Sequence, residues 1–312
     1  MNNPEEIRIY AAPLQGYTTA VWRHVHATEC GGVDAYFSPF VRVENGEARS
    51  RDLRDVTSPL NAGLTVAAQA IFGSVDEWIT VCTALREAGA RSIDLNLGCP
   101  FPPQMNRRRG AAMVADTATL HQVGELMRSE QWRDVKFSLK MRLGRDDASE
   151  WRQSVEAINR MPLTHLTVHP RVARQQYRGN LLWDEFASLT AVTAHRVVVN
   201  GELTAPQDVA RVMERFPQIA GVMLGRGLLA RPTLATEIRT GSEMPLADRL
   251  RALTVIHSVM LDHYQATLCG EAQVLTKIKA YWDYAAEALP RNQAKALRKA
   301  TTLAKYKQAL LL

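Results

Sequence analysis

Eight short hydrophobic segments recur between residues 7 and 224, and amphipathic patterns such as Val75–Ala88 and Ala205–Arg215 lie between them. Several segments are apolar on both faces, which is typical of parallel strands covered by helices. We predict strands at Ile7–Pro13, Ala35–Val43, Leu64–Ile71, Ser92–Leu97, Lys136–Met141, Leu166–His169, Arg196–Asn200 and Gly221–Leu224. The spacing between strand starts is what one βα unit occupies.

Eight βα units predict an α/β fold of the (β/α)₈ TIM-barrel type, with the active site at the carboxyl ends of the strands. A doubly wound open sheet is the alternative, but it needs a glycine-rich fingerprint after its first strand, and Ala12–Gly16 is not one. No strand is predicted after residue 245, and the rest is predicted to be helical with breaks at Gly270 and Pro290. We therefore expect a catalytic barrel over residues 1–240 and a helical domain over residues 241–312.

The composition is that of an ordinary globular protein, with 46% hydrophobic and 22% charged residues. It disfavours a disordered, fibrous or disulfide-stapled chain. No stretch approaches the roughly 18 apolar residues of a membrane span, and Asn2–Glu6 does not resemble a secretory signal. We expect a cytoplasmic enzyme with no membrane partner, and a monomer. The cysteines form no C-x-x-C pair, so we predict reduced thiols and no metal.

Cys99 is the first candidate for chemistry, because it follows the fourth predicted strand and sits between Gly98 and Pro100. A glycine lets the backbone approach a flat ligand, and a proline turns the chain away. With an ordinary pKa near 8.5, a thiol is mostly protonated at neutral pH, so Cys99 could act as a general acid as well as a nucleophile. The structural alternative is a small buried hydrophobic residue.

Lys140 and His169 end the fifth and sixth predicted strands. A lysine inside a barrel is costly to bury without an anionic partner, which points to a bound anion or an electron-rich ring. The alternative is an internal salt bridge to Asp94 or Glu202. His169 could equally be a core histidine whose hydrogen bonds are satisfied.

Two polar loops, Asn200–Glu202 and Gly225–Gly227, follow the seventh and eighth predicted strands. In many barrels these two loops bind a phosphate through backbone N–H groups and a basic side chain. The pattern therefore predicts a phosphate-bearing ligand in the barrel mouth.

Together these residues resemble the tRNA-dihydrouridine synthase family, which are FMN-dependent enzymes. Seven motifs appear in the family's order: Ala12-Pro13-Leu14-Gln15-Gly16, Asp94-Leu95-Asn96-Leu97-Gly98-Cys99-Pro100, Lys140-Met141-Arg142-Leu143-Gly144, Val168-His169-Pro170-Arg171, Gln176-Tyr177-Arg178-Gly179, Asn200-Gly201-Glu202 and Gly225-Arg226-Gly227. The resemblance extends from about residue 8 to the final helices.

The resemblance implies reduction of specific uridines in tRNA to 5,6-dihydrouridine. NADPH would reduce the flavin, the flavin would pass a hydride to C6 of uracil, and Cys99 would protonate C5. The residues implied to bind FMN are Pro13, Leu14, Gln15, Gln69, Lys140, His169, Asn200, Gly201, Glu202, Gly225 and Arg226. Those implied to lie near the base or the RNA are Asn96, Arg142, Arg171, Tyr177 and Arg178. The uridine would have to leave its stack to reach the flavin and the thiol.

The sequence departs from the family's pattern in the loop after Cys99. Most members have a lysine and then a glycine-rich stretch, whereas Phe101–Ala112 contains Arg107, Arg108 and Arg109. We predict that these three arginines contact RNA. The altered loop leaves the modified position and the class of RNA open.

The net charge of +6 comes from the end of the chain, since residues 289–312 contain six basic and no acidic residues. On one continuous helix, Arg291, Lys295, Arg298 and Lys305 would share an arc of about 80°, which Lys299 widens to about 120°. A solvated surface is the usual explanation of such a charge run. A one-sided stretch without acidic residues favours phosphate contact, so we predict that it binds RNA.

Two alternative functions follow from the same residues. One is an FMN enzyme that resembles dihydroorotate or dihydropyrimidine dehydrogenase and acts on a free pyrimidine, although it would not need the basic terminal helix. The other is a non-catalytic RNA-binding relative, which would have no need for Cys99 or Lys140.

Overall fold

The computed structural model describes residues 7–311, so the N-terminal residues 1–6 and Leu312, which belong to the predicted domains, lie outside the described residues. Eight strands form a closed parallel barrel in chain order, and the last strand pairs with the first. The strands are β1 Arg8–Ala11, β2 Ala35–Phe37, β3 Val66–Ala70, β4 Ser92–Leu97, β5 Lys136–Gly144, β6 Leu163–Val172, β7 Val197–Asn200 and β8 Gly221–Leu224. The predicted TIM barrel is confirmed.

The strands form where both faces can be buried. Val197, Val198 and Val199 in β7 are at most 5% exposed. The prediction for β2 was too long, because this strand ends at Phe37 and the chain then enters a small antiparallel hairpin of Val43–Glu44 with Glu47–Ala48. Conversely, β5 and β6 extend past their predicted ends.

Helices cover the outside of the barrel and form the C-terminal part. The α-helices are α1 Ala20–Glu29, α2 Ser50–Val56, α3 Val75–Glu87, α4 Pro102–Met105, α5 Thr117–Met127, α6 Trp151–Asn159, α7 Trp183–Val192, α8 Pro206–Arg215, α9 Arg226–Ala230, α10 Leu234–Thr240, α11 Leu246–Thr267, α12 Glu271–Lys279, α13 Trp282–Ala285, α14 Arg291–Lys299 and α15 Leu303–Leu310. Short 3₁₀ segments lie at Pro59–Asn61, Gly110–Met113, Glu130–Trp132, Ala173–Gln175 and Ala286–Ala288.

The C-terminal helices pack on the barrel, and α11 lies against α1. Apolar side chains from this region, such as Ile256 and Ile278, belong to the same hydrophobic cluster as the outer face of the barrel. The breaks predicted at Gly270 and Pro290 are present. A further break between Lys299 and Leu303 separates α14 from α15. No helix within residues 7–311 has both the length and the apolar content needed to cross a bilayer.

Candidate active site

The carboxyl ends of the strands surround a cavity of about 730 Å³. This volume lies in the range of roughly 300–1,000 Å³ that is typical of cofactor and ligand sites. The lining includes most residues predicted to bind a cofactor: Pro13, Leu14, Gln15, Lys140, His169, Asn200, Gly201, Glu202, Gly225 and Arg226. It also includes Asn96, Cys99, Arg142 and Tyr177, which were predicted to meet the substrate. The structure therefore brings most of the predicted site residues together at one end of the barrel.

Asn96 fixes the loop that carries Cys99. Its side-chain oxygen accepts hydrogen bonds from the backbone N–H groups of Gly98, at 3.0 Å, and of Cys99, at 2.9 Å. Its amide nitrogen donates to the side-chain oxygen of Gln69 at 2.8 Å. Gly110 packs on the other side, at a φ of +63°, where a Cβ would lie 2.7 Å from the carbonyl oxygen of Cys99. The thiol is thus held on a loop that is braced from two sides.

The environment of Cys99 favours the protonated thiol. Burial raises the pKa of Cys99 above its ordinary value, and the backbone N–H of Phe101 and the charges of Arg142 and Lys140 offset part of that rise. A thiol with a raised pKa carries its proton at neutral pH. The same N–H group and cations would stabilise the thiolate that remains after the proton has left. The arrangement therefore suits a general acid.

Lys140 lies in β5 opposite Asn96 of β4, and its ammonium group has no hydrogen bond or ion pair within residues 7–311. The salt bridges considered above are absent. Asp94 accepts hydrogen bonds from Gln69 and Ser138 instead, and Glu202 pairs with an arginine. Burial, with the nearby charge of Arg142, lowers the pKa of Lys140 to about 8. The charge of Asp94 offsets part of that fall, but no carboxylate contacts the ammonium group within residues 7–311. A desolvated cation without a contacting carboxylate is a candidate binding site for an anion.

The ring of Tyr177 contacts two guanidinium groups at the cavity mouth. The guanidinium carbon of Arg226 is 4.5 Å from the ring centroid, and that of Arg142 is 5.5 Å away. Both distances are within the range of cation–π contact. Arg142 also donates to the carbonyl oxygen of Val172 at 2.9 Å, but neither arginine forms an ion pair within the described part of the chain. Burial lowers the pKa of Arg142 to about 10.

His169 is 6% exposed and lines the same cavity. Burial and the charges of four nearby cations lower its pKa well below the ordinary value, so the imidazole is neutral. Its Nε2 atom is buried without a hydrogen-bond partner in residues 7–311. Gly201 lies next to the ring, at a φ of +152°, where a Cβ would come within 3.3 Å of the imidazole. The alternative of a core histidine with satisfied hydrogen bonds is therefore wrong.

Three predicted site residues are placed elsewhere. Gln69 does not line the cavity, because its amide is bound to Asp94 and Asn96 one layer deeper in the barrel. Arg109 is 2% exposed, and it pairs with Glu77. Arg171 is fully buried and pairs with Glu202. The predictions of RNA contact by Arg109 and Arg171 do not fit this structure, because both side chains are buried away from the surface. Arg109 is held by Glu77, whereas Nε and one terminal nitrogen of Arg171 have no hydrogen-bond partner within residues 7–311.

Other predicted RNA residues are at the surface. Arg107, Arg178 and Arg108 are exposed, and Arg108 forms an ion pair with Asp116 at 2.6 Å. The exposed cations of α14 form no ion pair with an acidic group of residues 7–311; they are Arg291, Lys295, Arg298 and Lys299. The expectation of one continuous basic helix is wrong for Lys305, because the chain breaks after Lys299 and Lys305 lies on α15.

The C-terminal helices contribute residues to the cavity that the sequence did not predict. Asp283 and Tyr284 of α13 and Glu287 line it. The hydroxyl of Tyr17, in the β1–α1 loop, donates to Asp283 at 2.8 Å. The rings of Tyr17 and Tyr284 are also in contact, with centroids 5.1 Å apart. No periodicity or motif signalled these positions, because they reach the cavity only through the packing of the helices on the barrel.

Comparison with protein families gives a match over almost the whole chain. The model of the dihydrouridine synthase family matches residues 10–310. A protein of Ralstonia nicotianae named tRNA-dihydrouridine(16) synthase is 30% identical over 298 residues, covering 90% of this chain and 89% of its own length. A protein of the same name from Cupriavidus necator is 29% identical over 299 residues, covering 90% of each chain.

Solved structures share the barrel at low sequence identity. Morphinone reductase superimposes with a TM-score of 0.52 and 11% identity, over 76% of this chain and 86% of its own. A variant of NCR from Zymomonas mobilis gives a TM-score of 0.51 and 13% identity, over 76% of this chain and 88% of its own. At this identity the likeness concerns the fold alone.

Proposed function

The chain belongs to the dihydrouridine synthase family, and from that membership we propose that it uses FMN to reduce a uridine of tRNA to 5,6-dihydrouridine. The family is one of oxidoreductases. The observation that carries the proposal is the placement of the Cys99 thiol in one cavity with Lys140, Arg142 and His169. This set combines a proton donor with groups suited to an anionic ring system. The names of the relatives, which refer to tRNA, favour an RNA substrate over a free pyrimidine and over a non-catalytic binding role.

The residues of the cavity fit a flavin nucleotide. Within residues 7–311, the buried Nε2 of His169 has no hydrogen-bond partner and the ammonium group of Lys140 contacts no carboxylate, so both have unused capacity for a ligand. Lys140 and His169 would bind the isoalloxazine, with Pro13, Leu14 and Gln15 along it. Asn200, Gly201, Gly225 and Arg226 would hold the phosphate. Glu202 would contribute through its backbone, since its carboxylate is bound to Arg171.

When bound and reduced, the flavin supplies the hydride that the chemistry requires. Lys140 would stabilise negative charge on the ligand through a preorganised, poorly solvated contact, which is the kind of interaction that contributes most to catalysis. Cys99 would hold the proton for C5 of the uracil and release it as C6 is reduced. The N–H of Phe101 and the charges of Arg142 and Lys140 would then stabilise the thiolate.

Asn96 and Gln69 act together in this scheme. Because Asn96 uses its oxygen to hold the Cys99 loop, it sets the position of the thiol. Gln69 in turn orients Asn96. Direct contact of Asn96 with the base and direct contact of Gln69 with the flavin stay predictions from the resemblance.

We further propose that the target is uridine 16, because relatives matching about 90% of the chain carry that position in their names. NADPH as the electron donor, a monomeric state, a cytoplasmic location and RNA binding by residues 241–312 belong to the same proposal. The division near residue 240 falls between α10 and α11. However, Tyr284 of the helical part lines the cavity, so the two parts would form the active site together.

The experiment compares the purified protein with its Cys99→Ala variant. The unaltered protein should bind FMN, lose its yellow colour with NADPH and form dihydrouridine in unmodified tRNA. The variant should keep FMN and its reduction by NADPH, while RNA turnover falls by about 10²- to 10⁴-fold, the usual contribution of a general acid. Mapping the product by sequencing would identify the position. Turnover of free uracil or dihydroorotate in place of tRNA would support the dehydrogenase alternative.

A further inference from the structure

Within residues 7–311 only two large aromatic side chains are exposed, and both stand at the cavity mouth. Tyr177 is 42% exposed and lines the cavity. Phe101 is 58% exposed and lies just outside the lining, two residues after Cys99. All the tryptophans and the other phenylalanines are at least half-buried. Phe101 thus presents most of its apolar ring to solvent at the rim of the cavity.

The backbone at Phe101 is held in one position. Its carbonyl oxygen accepts hydrogen bonds from the backbone N–H groups of Gln104, at 2.9 Å, and of Met105, at 3.1 Å. Pro102 and Pro103 follow it and restrict the chain further. An exposed ring on a constrained backbone binds a partner with little loss of conformational entropy.

The far end of the same loop is anchored by Arg109. Its guanidinium group forms two hydrogen bonds to Glu77, and it donates to the carbonyl oxygen of Val43 at 2.9 Å. Glu77 also accepts from the backbone N–H of Gly73 at 2.8 Å. The ion pair with Glu77 accounts for the presence of Arg109 in the loop without any contact to RNA. It connects the segment after Cys99 to α3 and to the small hairpin.

The surface around Phe101 carries positive charge. Arg107 and Arg108 are exposed on the same loop, and Arg107 has no ion pair in the described residues. An exposed aromatic ring flanked by cations is the pattern of single-stranded nucleic-acid sites, where rings stack on bases and cations contact phosphates. A neutral protein surface would match the ring but not the charges of Arg107 and Arg108.

We propose that Phe101 stacks on the RNA base next to the uridine that enters the cavity. The inference rests on the proposed function. A uridine that leaves its stack exposes one face of the neighbouring base, and an aromatic ring at the rim of the cavity covers that face. Phe101 is therefore a substrate-binding residue that supports base flipping, while Arg109 is a positioning residue that holds the loop.

The test uses the full-length protein loaded with FMN and an unmodified tRNA as the probe. Phe101→Ala should raise the KM for tRNA by about 5- to 150-fold, which corresponds to the usual range of base–aromatic stacking. Phe101→Trp should have the KM of the unaltered protein, because tryptophan can stack on a base. Phe101→Leu should have a raised KM like that of Phe101→Ala. Because stacking is not ionic, the slope of log Kd against log salt should stay unchanged in all three variants. Reduction of the flavin by NADPH should also be unaffected.

Val192→Ala is the matched control, because Val192 is 52% exposed and ends α7 at the opposite end of the barrel. It should leave the KM for tRNA unchanged. If the unaltered protein reduces tRNA and the KM of Phe101→Ala stays within twofold, the inference is wrong while the proposed function stands. Full rescue by Phe101→Leu would also overturn it, since a general apolar contact would then suffice. An unaltered protein that forms no dihydrouridine would refute the proposed function itself.

Discussion

The cations of the cavity and the cations of α14 belong to the same residue types but occupy opposite environments. Lys140 is partly buried and Arg142 is buried, and their pKa values fall to about 8 and about 10 because desolvation disfavours the charged form. Arg291, Lys295 and Arg298 are exposed on a short helix whose only buried side chain is Leu297. Neither group forms an ion pair with a carboxylate within residues 7–311. The cavity cations and the α14 cations therefore differ in how much their charge destabilises the folded protein.

A buried cation without a counter-ion destabilises the fold until a ligand compensates it. An exposed cation costs almost nothing, and it acts on a polyanion mainly through the release of counter-ions. The cavity is thus expected to act through a few strong, specific contacts, and α14 through several weak ones that depend on salt. Arg291 is the first residue of α14, where a cation opposes the helix dipole. Stabilisation of the helix therefore does not explain this charge, which is consistent with a role in contact with a polyanion.

Among the changes to cations, replacing Lys140 should have the largest effect, and it should separate function from stability. Lys140→Met removes a preorganised charge from the proposed flavin site, so turnover of tRNA should fall by about 10²- to 10³-fold. The FMN-free variant should nevertheless unfold at a higher urea concentration than the unaltered protein at pH 7. The gain in the free energy of unfolding is at most about 3 kcal/mol, which is the energy equivalent of lowering the pKa of Lys140 from 10.5 to about 8.

The pH dependence gives the control for this variant. Between about pH 8 and pH 10.5 the unfolded chain binds more protons at Lys140 than the folded protein, so the stability of the unaltered protein rises with pH there. The advantage of Lys140→Met should therefore be complete below about pH 8 and vanish near pH 10.5. Urea denaturation at about pH 7 and about pH 10 measures both ends. A variant that is less stable at neutral pH would show that the ammonium group is compensated within the fold.

The same contrast explains which features could be predicted from the sequence. The strands were predictable because burial on both faces leaves a run such as Val197–Val199, and the cavity residues were predictable because they follow strand ends or stand in motifs. Arg109 and Arg171 were assigned to RNA because a sequence does not show whether an arginine meets a carboxylate. Their partners, Glu77 and Glu202, lie 32 and 31 residues away along the chain.

The C-terminal helices also make contacts that the sequence alone does not show. The amphipathic pattern predicted its helices, but the orientation of α13 depends on packing against the barrel. Tyr284 therefore reaches the cavity without any local signal. The break between α14 and α15 was also missed, although Thr302 caps α15 by accepting a hydrogen bond from the backbone N–H of Lys305 at 3.2 Å.

Reversing charge on α14 should have a smaller, purely electrostatic effect. In the triple variant Arg291→Glu, Lys295→Glu, Arg298→Glu, the affinity for tRNA should fall by about one to two orders of magnitude at low salt. The slope of log Kd against log salt should decrease by about 0.9 for each phosphate that the helix no longer binds. The turnover number at saturating tRNA should stay unchanged. Binding isotherms at several salt concentrations measure the slope.

Two exposed cations at the opposite end of the barrel provide the control for α14. Lys136 begins β5, and Arg196 directly precedes β7, so both lie far from the cavity mouth. Lys136→Glu combined with Arg196→Glu reverses two charges, against three in the α14 variant, without touching α14. If this pair weakens tRNA binding as strongly as the α14 variant, the effect comes from overall charge, and the comparison between local regions fails.

The smallest effect is expected within the loop after Cys99, where two adjacent exposed arginines differ in their ion-pair partners. Arg107 has no ion pair in the described residues, whereas Arg108 is bound to Asp116 at 2.6 Å. Arg107→Ala should reduce the salt slope of tRNA binding by about 0.9, while Arg108→Ala should change it less, because Asp116 already neutralises part of that charge. Protein stability should change by no more than about 1 kcal/mol in either variant, as expected for an exposed pair. Equal slopes for the two variants would mean that Asp116 releases Arg108 when tRNA binds, and the loop would then act like α14 rather than like the cavity.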